Sequence, residues 1–464
     1  MTVYTLRYWL TDKSFGYETS QVFRQNVLND LGIANKLLVP NPYSAPYWRE
    51  QMRHIGFNPD QVVILPHLYS DIDVEIFNYS LQDFEEDLQA KGISWESKKE
   101  IGSNEIIYTT DTGYFNVSLT SSRFVSIIIE RSLSLVHIAT TTVHERPFYI
   151  SYADGRFEYL NRSGETTLRG LIGKDICNYY WKDCLITPDD LFLHYLIKNL
   201  NPDEDIVLND QLQAASQKIK DYCKSVGARY RDVLHYNHVE AVNSRETYTT
   251  VLDREIYVAS PYIIPNLAEE GVTATFLPPT AVNITPILPI GLSTNKLLLV
   301  GNFSKGKRIA MAVEAMRFLP ELELHIYGGL FEEIQAFKEE NVIPENVIFK
   351  GFVPSVTIQR NQYVGYLSCS KTEMFANAMV ECLGQGLIPI LSRVDYGHNQ
   401  VLEELGIYQQ CGFDSVEDLV KVLKNLANLP LEDRQELSKT ILDYANKFSY
   451  SEARKQYKLA LGYN

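Results

Sequence analysis

The second half of the chain alternates regularly between short apolar segments and helical segments, and this alternation restricts the fold more than any other feature. The predicted strands lie at 296–300, 323–327, 347–349, 364–368 and 388–391, and the predicted helices at 309–318, 330–339, 377–385 and 399–405. Strands that alternate with helices form parallel sheets covered by helices. We therefore predict a doubly wound α/β domain, in which ligands bind beyond the carboxyl ends of the strands.

The first part of the chain shows the same alternation, but a long stretch without helical periodicity interrupts it. Before the interruption lie predicted strands at 3–10, 37–39 and 62–65 and a helix at 19–31 that ends at Gly32. From about 95 to 168, strand-like runs are separated by turns that contain glycine, which predicts an antiparallel β-meander. The alternation then resumes, with helices predicted at 188–199 and 212–226 and strands at 205–208 and 233–235.

A chain of 464 residues is too long for one hydrophobic core, so two or three domains are expected. We predict an α/β protein with two Rossmann-like domains and an antiparallel β-meander inserted into the first. The predicted N-terminal domain comprises 1–94 and 169–292, the insertion 95–168, the C-terminal domain 293–440 and a C-terminal helix that crosses back 441–464. Residues 261–292 are interpreted as the crossover between the domains, and 431–461 as helical.

Charge and cysteine content exclude several classes of protein. The formal net charge is −15, and so acidic a chain would repel a phosphate backbone, so no nucleic-acid binding is expected. The six cysteines form no CxxC pair and no histidine stands at zinc-finger spacing from them, so no metal site is expected. The first residues lack the apolar core of a signal peptide, and no apolar run approaches the ~18 residues that span a bilayer. We predict a cytoplasmic protein, with docking on the inner face of the cell membrane as the alternative.

Polar residues that follow predicted strands are the candidates for a binding site. Glu373 follows the strand at 364–368, and Glu381 lies eight residues further on, within the next helix. Two carboxylates placed in this way could accept hydrogen bonds from sugar hydroxyls, although two solvated glutamates on an ordinary helix would have the same spacing. Lys307 and Asn302 lie in the loop after the strand at 296–300, at an end of the sheet where a ligand could bind.

Three further segments carry candidate functional residues. Gly16 precedes a predicted helix, whose amide end favours phosphate. His235 and His238 follow a predicted strand, and an imidazole there could donate to a sugar hydroxyl, but a structural histidine pair would look the same. Asp71 and Asp73 resemble a metal-binding DxD motif, which we interpret as a solvated turn at the edge of the insertion.

The segment 366–400, with Glu373 and Glu381 in Glu-x7-Glu spacing, resembles the signature of family 4-type retaining glycosyltransferases with the GT-B fold. The segment 16–24 (GYETSQVFR) and the inserted meander are similar to the GtfA and GtfB subunits of bacterial protein O-GlcNAc transferases and to teichoic-acid α-glycosyltransferases. The resemblance implies a UDP-sugar donor without a metal or other cofactor. It also implies that Glu373 contacts the donor sugar, Glu381 the ribose and Lys307 the diphosphate, and that His235 or His238 lies near the sugar.

Some positions depart from the pattern of that family. Asn302 stands where the family has an arginine, and an amide cannot replace a fixed cation beside a departing phosphate. Met374 and Ala376 stand where the family has glycines, and a side chain at Met374 is expected to obstruct the backbone donors. These departures predict a degenerate donor site.

Two functions from different classes follow from these residues. The first is a GtfB-like subunit that stabilises a GtfA-like catalytic partner and binds the Ser/Thr-rich polypeptide of a serine-rich surface adhesin. The alternative is an active retaining UDP-sugar glycosyltransferase that acts on protein or on wall teichoic acid, with Glu373 and one of His235 or His238 as catalytic residues. A cytosolic scaffold without a sugar ligand is a third interpretation.

Overall fold

The protein was analysed as a computed structural model, which describes all residues except 9–15, 44–47, 75, 133–136, 144–145, 174–176, 211–216, 236–254, 285–286, 354–356 and 464. The chain divides into two compact units. The first unit contains Met1–Glu18 and Gly32–Arg231, and the second contains Thr19–Leu31 and Asp232–Asn464. Within the described ranges, no helix is both long and apolar enough to span a bilayer.

The N-terminal part of the chain forms three parallel strands and three helices. The strands are β1 (Thr2–Leu6), β2 (Ala34–Val39) and β3 (Val62–Ile64), and the helices are α1 (Gly16–Asp30), α2 (Trp48–Ile55) and α3 (Leu81–Ala90). Strand β2 lies between β1 and β3. Gly32 follows α1 with a φ of +70°, the left-handed conformation that commonly ends a helix, as the sequence predicts.

A ten-stranded antiparallel sheet follows, in which each strand pairs with the next along the chain. Its strands are β4 (Ser97–Ile101), β5 (Glu105–Thr109), β6 (Gly113–Leu119), β7 (Val125–Ser132), β8 (His137–Val143), β9 (Arg146–Tyr152), β10 (Arg156–Leu160), β11 (Thr166–Ile172), β12 (Cys177–Trp181) and β13 (Cys184–Ile186). The predicted meander is therefore present, but it continues to Ile186 and not to residue 168. The predicted domain limits otherwise stay a prediction.

The last turn of this sheet explains why the sequence prediction ended too early. Lys182 and Asp183 join β12 to β13, and both have positive φ, +48° and +62°. That is the conformation of a type I′ hairpin turn, which usually contains Asn-Gly or Asp-Gly. Lys-Asp carries no such signal, so the final hairpin was not recognisable from composition.

Aromatic side chains join the later half of the antiparallel sheet to the α/β part of the first unit. Phe148, Tyr159 and Tyr179 are buried in one cluster with Leu38 and Phe192. The hydroxyl of Tyr159 donates to the carbonyl of Tyr43 at 3.0 Å, so the polar end of this buried ring is satisfied. Several of the 30 tyrosines in the sequence thus serve packing in this cluster.

The parallel pattern continues after the antiparallel sheet. Its elements are α4 (Pro188–Asn199), β14 (Ile206–Asn209), α5 (Gln217–Val226), β15 (Arg229–Leu234), β16 (Glu255–Val258), α6 (Ile264–Glu269) and β17 (Thr273–Phe276). Strand β14 pairs with β1, and β16 pairs with both β15 and β17, always in parallel. The segment interpreted from sequence as a crossover therefore contains a short helix and a paired strand, which its many prolines obscured.

The remainder of the second unit is a six-stranded parallel sheet with helices. Its strands are β18 (Lys296–Val300), β19 (Glu323–Tyr327), β20 (Val347–Gly351), β21 (Gly365–Ser368), β22 (Ile388–Ser392) and β23 (Gly412–Phe413). Its helices are α7 (Ile309–Met316), α8 (Phe331–Glu340), α9 (Asn377–Leu383), α10 (Gly397–Glu404), α11 (Tyr408–Cys411), α12 (Val416–Asn428), α13 (Leu431–Ala445) and α14 (Tyr450–Leu461). The predicted C-terminal helical segment is thus two helices.

The order of the strands in this sheet is β20-β19-β18-β21-β22-β23. The chain proceeds from β18 in one direction through β19 and β20, and then returns to the other side of β18 with β21. Such a reversal is a topological switch point, where the loops at the carboxyl ends of adjacent strands diverge and leave a crevice. The candidate site should therefore lie beyond β18 and β21.

Helix α14 packs on elements from the beginning and the middle of the chain. Tyr450 donates to the Asp30 carboxylate at the end of α1 at 2.5 Å, and the rings of Phe23 and Tyr457 meet edge to face. Tyr257 in β16 donates to the carbonyl of Ala460 at 2.6 Å. These contacts explain why residues 19–31 group with the second unit.

Arg434 on α13 has a buried guanidinium that donates hydrogen bonds to backbone carbonyls before β18 and on α12. It donates to the carbonyls of Leu292 at 3.0 Å, Thr294 at 2.9 Å and Ala427 at 2.8 Å. Arg434 is only 6% exposed, so its guanidinium has little access to water and depends on these carbonyls for hydrogen bonds.

Replacing Arg434 with methionine should lower the free energy of unfolding by about 2–4 kcal/mol, because buried carbonyls lose charged donors while the apolar volume is kept. Denaturant unfolding measures this change. Lys439→Met, an exposed position on the same helix, is the control and should change stability by less than about 0.5 kcal/mol. Equal stability of the two variants would contradict the role assigned to Arg434.

Candidate functional site

The candidate site lies in the second unit, in the loops that follow β18, β21 and β22. These strands are neighbours in the sheet, so the three loops meet at one edge. The loop after β18 carries Asn302 and Lys307, and the loop after β21 carries Glu373. The structure thus brings the predicted residues Lys307 and Glu373 together.

Glu373 is the centre of this arrangement. The ammonium of Lys307 donates to its Oε1 atom, and the hydroxyl of Ser370 donates to the same oxygen at 2.8 Å. The Glu373 side chain is 13% exposed and that of Lys307 is 34% exposed, so the pair is only partly shielded from water. At the switch point of the sheet, the carboxylate is therefore largely shielded from water, whereas the ammonium keeps partial access to it.

The surroundings of Glu373 keep it ionised. Burial raises the pKa of its carboxyl, but the charge of the Lys307 ammonium and the hydrogen bonds from Lys307 and Ser370 lower it, and the net pKa lies below the usual glutamate value. The carboxylate therefore carries its charge at neutral pH. A charged carboxylate accepts stronger hydrogen bonds from hydroxyl groups than a neutral one.

Arg308 holds the loops after β18 and β21 together. Its guanidinium donates to the carbonyls of Cys369 at 2.5 Å and Ser370 at 3.0 Å. The hydroxyl of Ser392, the last residue of β22, donates to the same Ser370 carbonyl at 2.6 Å, so the end of β22 is joined to these loops. Arg308 thus has a structural role in this arrangement.

His398 is fully buried below the site, in the first turn of α10. Its Nδ1 atom lies 3.0 Å from the carbonyl of Ser392, to which it donates in the neutral tautomer. Its Nε2 atom is buried without a hydrogen-bond partner. Burial lowers the pKa of His398 to about 4, although the Glu373 carboxylate acts in the opposite direction. The ring is therefore neutral near pH 7.

Three non-glycine residues in these loops have positive φ angles: Arg308 at +47°, Ala376 at +51° and Tyr396 at +68°. Such conformations cost about 1–3 kcal/mol each and persist where surrounding contacts impose them. Ala376 thus keeps the backbone conformation that glycine would favour. The Met374 side chain is 5% exposed, so it points largely into the interior and not toward solvent. The structure thus buries Met374, and obstruction of the backbone donors by its side chain stays a prediction.

Glu381 lies on α9, and its carboxylate forms an ion pair with Arg360. Arg360 comes from a short 3₁₀ turn before β21, and its side chain is 10% exposed, against 23% for Glu381. The ion pair fixes the glutamate near the surface. Spacing arguments missed Arg360 because it lies 21 residues before its partner.

Asn302 differs from a phosphate-binding cation in both chemistry and contacts. Its side chain is exposed, and its Oδ1 atom accepts a hydrogen bond from the backbone N–H of Ser304 at 3.2 Å. The amide therefore stabilises its own loop. This agrees with the sequence argument that position 302 supplies no positive charge.

The remaining candidates are not brought to Glu373 by any described contact. Gly16 begins α1 in the first unit, and the residues just before it lie outside the described ranges. His235 follows β15, whereas His238 lies outside the described residues. Asp71 is exposed and accepts from the backbone N–H of Arg162 at 2.7 Å, as expected of a surface turn.

The buried His398 predicts a loss of stability in mild acid. Its pKa is about 4 in the folded protein and about 6.5 when unfolded, so below pH 6.5 the unfolded chain binds the extra proton. Stability should fall by up to about 3 kcal/mol between pH 6.5 and 4 from this group. His398→Gln should lose less stability over that window in thermal unfolding at several pH values. Parallel curves for the two proteins would refute this assignment.

The comparisons with known proteins agree with the geometry. Residues 283–444 match the family model of glycosyl transferases group 1. The GtfA subunit of UDP-N-acetylglucosamine–peptide N-acetylglucosaminyltransferase from Streptococcus parasanguinis is 22% identical over 443 residues, which cover 86% of this chain and 85% of that one.

Two solved structures show the same architecture along the whole chain. A GtfA/B complex matches with a TM-score of 0.78 at 20% identity, covering 100% of this chain and 99% of that one. TarM from S. aureus, crystallised with UDP, matches with a TM-score of 0.71 at 13% identity, covering 99% of each chain. The predicted fold class is confirmed: an α/β protein of the GT-B fold class, with two Rossmann-like domains and an antiparallel insertion in the first.

Proposed function

We propose that this chain is a glycosyltransferase that binds a UDP-sugar beside Glu373, and the match of residues 283–444 to the family model of glycosyl transferases group 1 supports this proposal. The proposed reaction transfers the sugar, with retention of configuration, to a hydroxyl group of a polypeptide. The observation that carries the proposal is the assembly of Lys307, Ser370 and Glu373 at the switch point of the second sheet.

The residues suit the chemistry of a sugar nucleotide. Glu373 is ionised and can accept hydrogen bonds from sugar hydroxyls, which orients the ring. Lys307 can neutralise charge on the diphosphate as the bond to the sugar breaks, which lowers the barrier electrostatically. In a retaining reaction of this kind, an oxygen of the leaving phosphate takes the proton of the incoming hydroxyl. Glu381 and one of His235 or His238 are proposed to contact ribose and sugar.

The acceptor is inferred from the relatives. The S. parasanguinis relative is named as a peptide N-acetylglucosaminyltransferase subunit, which supports N-acetylglucosamine as the sugar and Ser/Thr-rich polypeptide as the acceptor. We place the reaction in the cytoplasm or at the inner face of the cell membrane, before a serine-rich adhesin is secreted. TarM supports wall teichoic acid as the alternative acceptor only through its fold.

Asn302 favours a second function, that of a GtfB-like subunit with a degenerate donor site. The exposed amide supplies no charge to a phosphate, and a GtfA/B complex is among the similar structures. In that role the chain would stabilise a GtfA-like catalytic partner and bind the acceptor. We prefer the active enzyme, because the Ala376 backbone keeps a glycine-like conformation and the Met374 side chain lies inside.

Glu373→Gln should reduce turnover of UDP-N-acetylglucosamine by about 100-fold or more, since a neutral amide donates as well as accepts and orients the sugar poorly. Binding of UDP alone should be retained or strengthened, because Lys307 loses its internal partner. Radiolabel transfer to a Ser/Thr-rich peptide and calorimetry measure the two effects. Glu332→Gln, on the first turn of α8, is the matched control. Undiminished turnover in Glu373→Gln would remove the central support of the proposal.

Activity of the purified chain distinguishes the two functions. The active-enzyme proposal predicts transfer by the chain alone, which a GtfA-like partner increases through acceptor binding. The partner role predicts no transfer and no UDP binding by the chain alone, with transfer in the complex that survives Glu373→Ala. The assay is therefore run with each component alone and with the complex, in wild-type and Glu373→Ala forms.

A further inference from the structure

Two neighbouring loops of the second unit concentrate positive charge in an otherwise acidic chain. The loops 301–308 and 369–376 contain four basic residues and one acidic residue, Glu373, whereas the whole chain has a net charge of −15. The basic residues are Lys305, Lys307, Arg308 and Lys371. A local excess of cations in an acidic protein needs either internal partners or an anionic ligand.

Internal partners account for two of the four cations. Lys307 is paired with Glu373, and Arg308 donates to the carbonyls of Cys369 and Ser370. If a ligand took over Lys307, the Glu373 carboxylate would lose its cation. If it took over Arg308, two backbone carbonyls would lose their hydrogen-bond donors. Neither residue is therefore available to an anion without a rearrangement.

Lys305 and Lys371 are in a different situation. Both are exposed, and neither forms an ion pair or side-chain hydrogen bond with any residue in the described part of the chain. The two positions are nevertheless close, because the backbone N–H of Lys371 donates to the carbonyl of Gly306 at 2.7 Å. The backbone segments that carry these two exposed lysines are thus adjacent.

The backbone leaves room beside these lysines. A Cβ atom placed on Gly306 would meet only the Ser304 hydroxyl, at 4.0 Å, so the space next to this glycine is open. A ligand there would be within reach of both lysine side chains, whose stems are long and flexible. The side-chain oxygen of Asn302 accepts a hydrogen bond from the backbone N–H of Ser304, and it carries no negative charge that could pair with the two lysines.

We propose that Lys305 and Lys371 bind the diphosphate of the nucleotide donor and supply the positive charge that Asn302 lacks. This inference rests on the proposed function, and it assigns the charge to a pair of lysines on two loops, one of which also carries Glu373. A diphosphate fits the pair better than a neutral ligand does, because it offers several anionic oxygens to two ammonium groups that otherwise repel each other.

The test is a binding measurement with the double variant Lys305→Met/Lys371→Met. The matched control is Lys424→Met/Lys439→Met, which removes the same charge from exposed positions on α12 and α13. Calorimetry with UDP, pyrophosphate and uridine at low and moderate salt separates phosphate recognition from base recognition. A third variant adds Asn302→Arg to the double variant, to restore a cation on the same loop.

The proposal expects UDP and pyrophosphate affinity to fall on the order of tenfold or more in the double variant, with a weaker dependence on salt and little change for uridine. The control should match wild type, and Asn302→Arg should recover part of the loss. If the double variant binds UDP as the control does while Glu373→Gln still abolishes turnover, this inference is wrong and the proposed function stands. If wild-type protein binds neither UDP nor pyrophosphate, both fail.

Discussion

A charged carboxylate largely removed from water is the constraint on which the site depends. Glu373 must be stabilised by a cation and by hydrogen bonds, because an unpaired carboxylate at this depth would be protonated or solvated instead. Lys307 and the Ser370 hydroxyl provide that stabilisation from two different loops. The strand order of the second sheet is what brings those loops together, since β18 and β21 are neighbours although 64 residues separate Val300 from Gly365.

The rigidity of the loops follows from backbone contacts. Arg308 and Ser392 converge on the carbonyl of Ser370, and Gly397 donates its N–H to the carbonyl of Met374 at 3.1 Å. Arg308 and Ala376 have positive φ angles in these loops, a conformation that persists where surrounding contacts stabilise it. The site is therefore preorganised, and Glu373 does not need a ligand to be held in position.

The sequence predicted the regular elements of the second unit well, because its strands are continuous apolar runs bounded by polar loops. Strands β18 and β19 have the predicted limits, and Lys307 and Glu373 lie in the loops after β18 and β21, whereas their roles toward a donor stay a prediction. The failures have specific physical causes. The Lys182-Asp183 turn lacks the glycine that marks most hairpins of its type, and Ser370 and His398 have no spacing signal because their roles arise only when separate loops pack together.

The ion pair between Lys307 and Glu373 also bears on how a sugar nucleotide would bind. In the absence of ligand, each group satisfies the other, so neither a phosphate nor a sugar hydroxyl finds its partner fully exposed. A diphosphate that draws Lys307 away would leave the carboxylate free to accept hydrogen bonds from the sugar, so the two halves of the donor would support each other's binding. An independent cationic site at Lys305 and Lys371 would allow the diphosphate to arrive before that exchange. This order of steps would favour binding of the intact sugar nucleotide over its separate diphosphate and sugar parts. Only the intact donor supplies both a diphosphate for Lys307 and hydroxyl groups for Glu373.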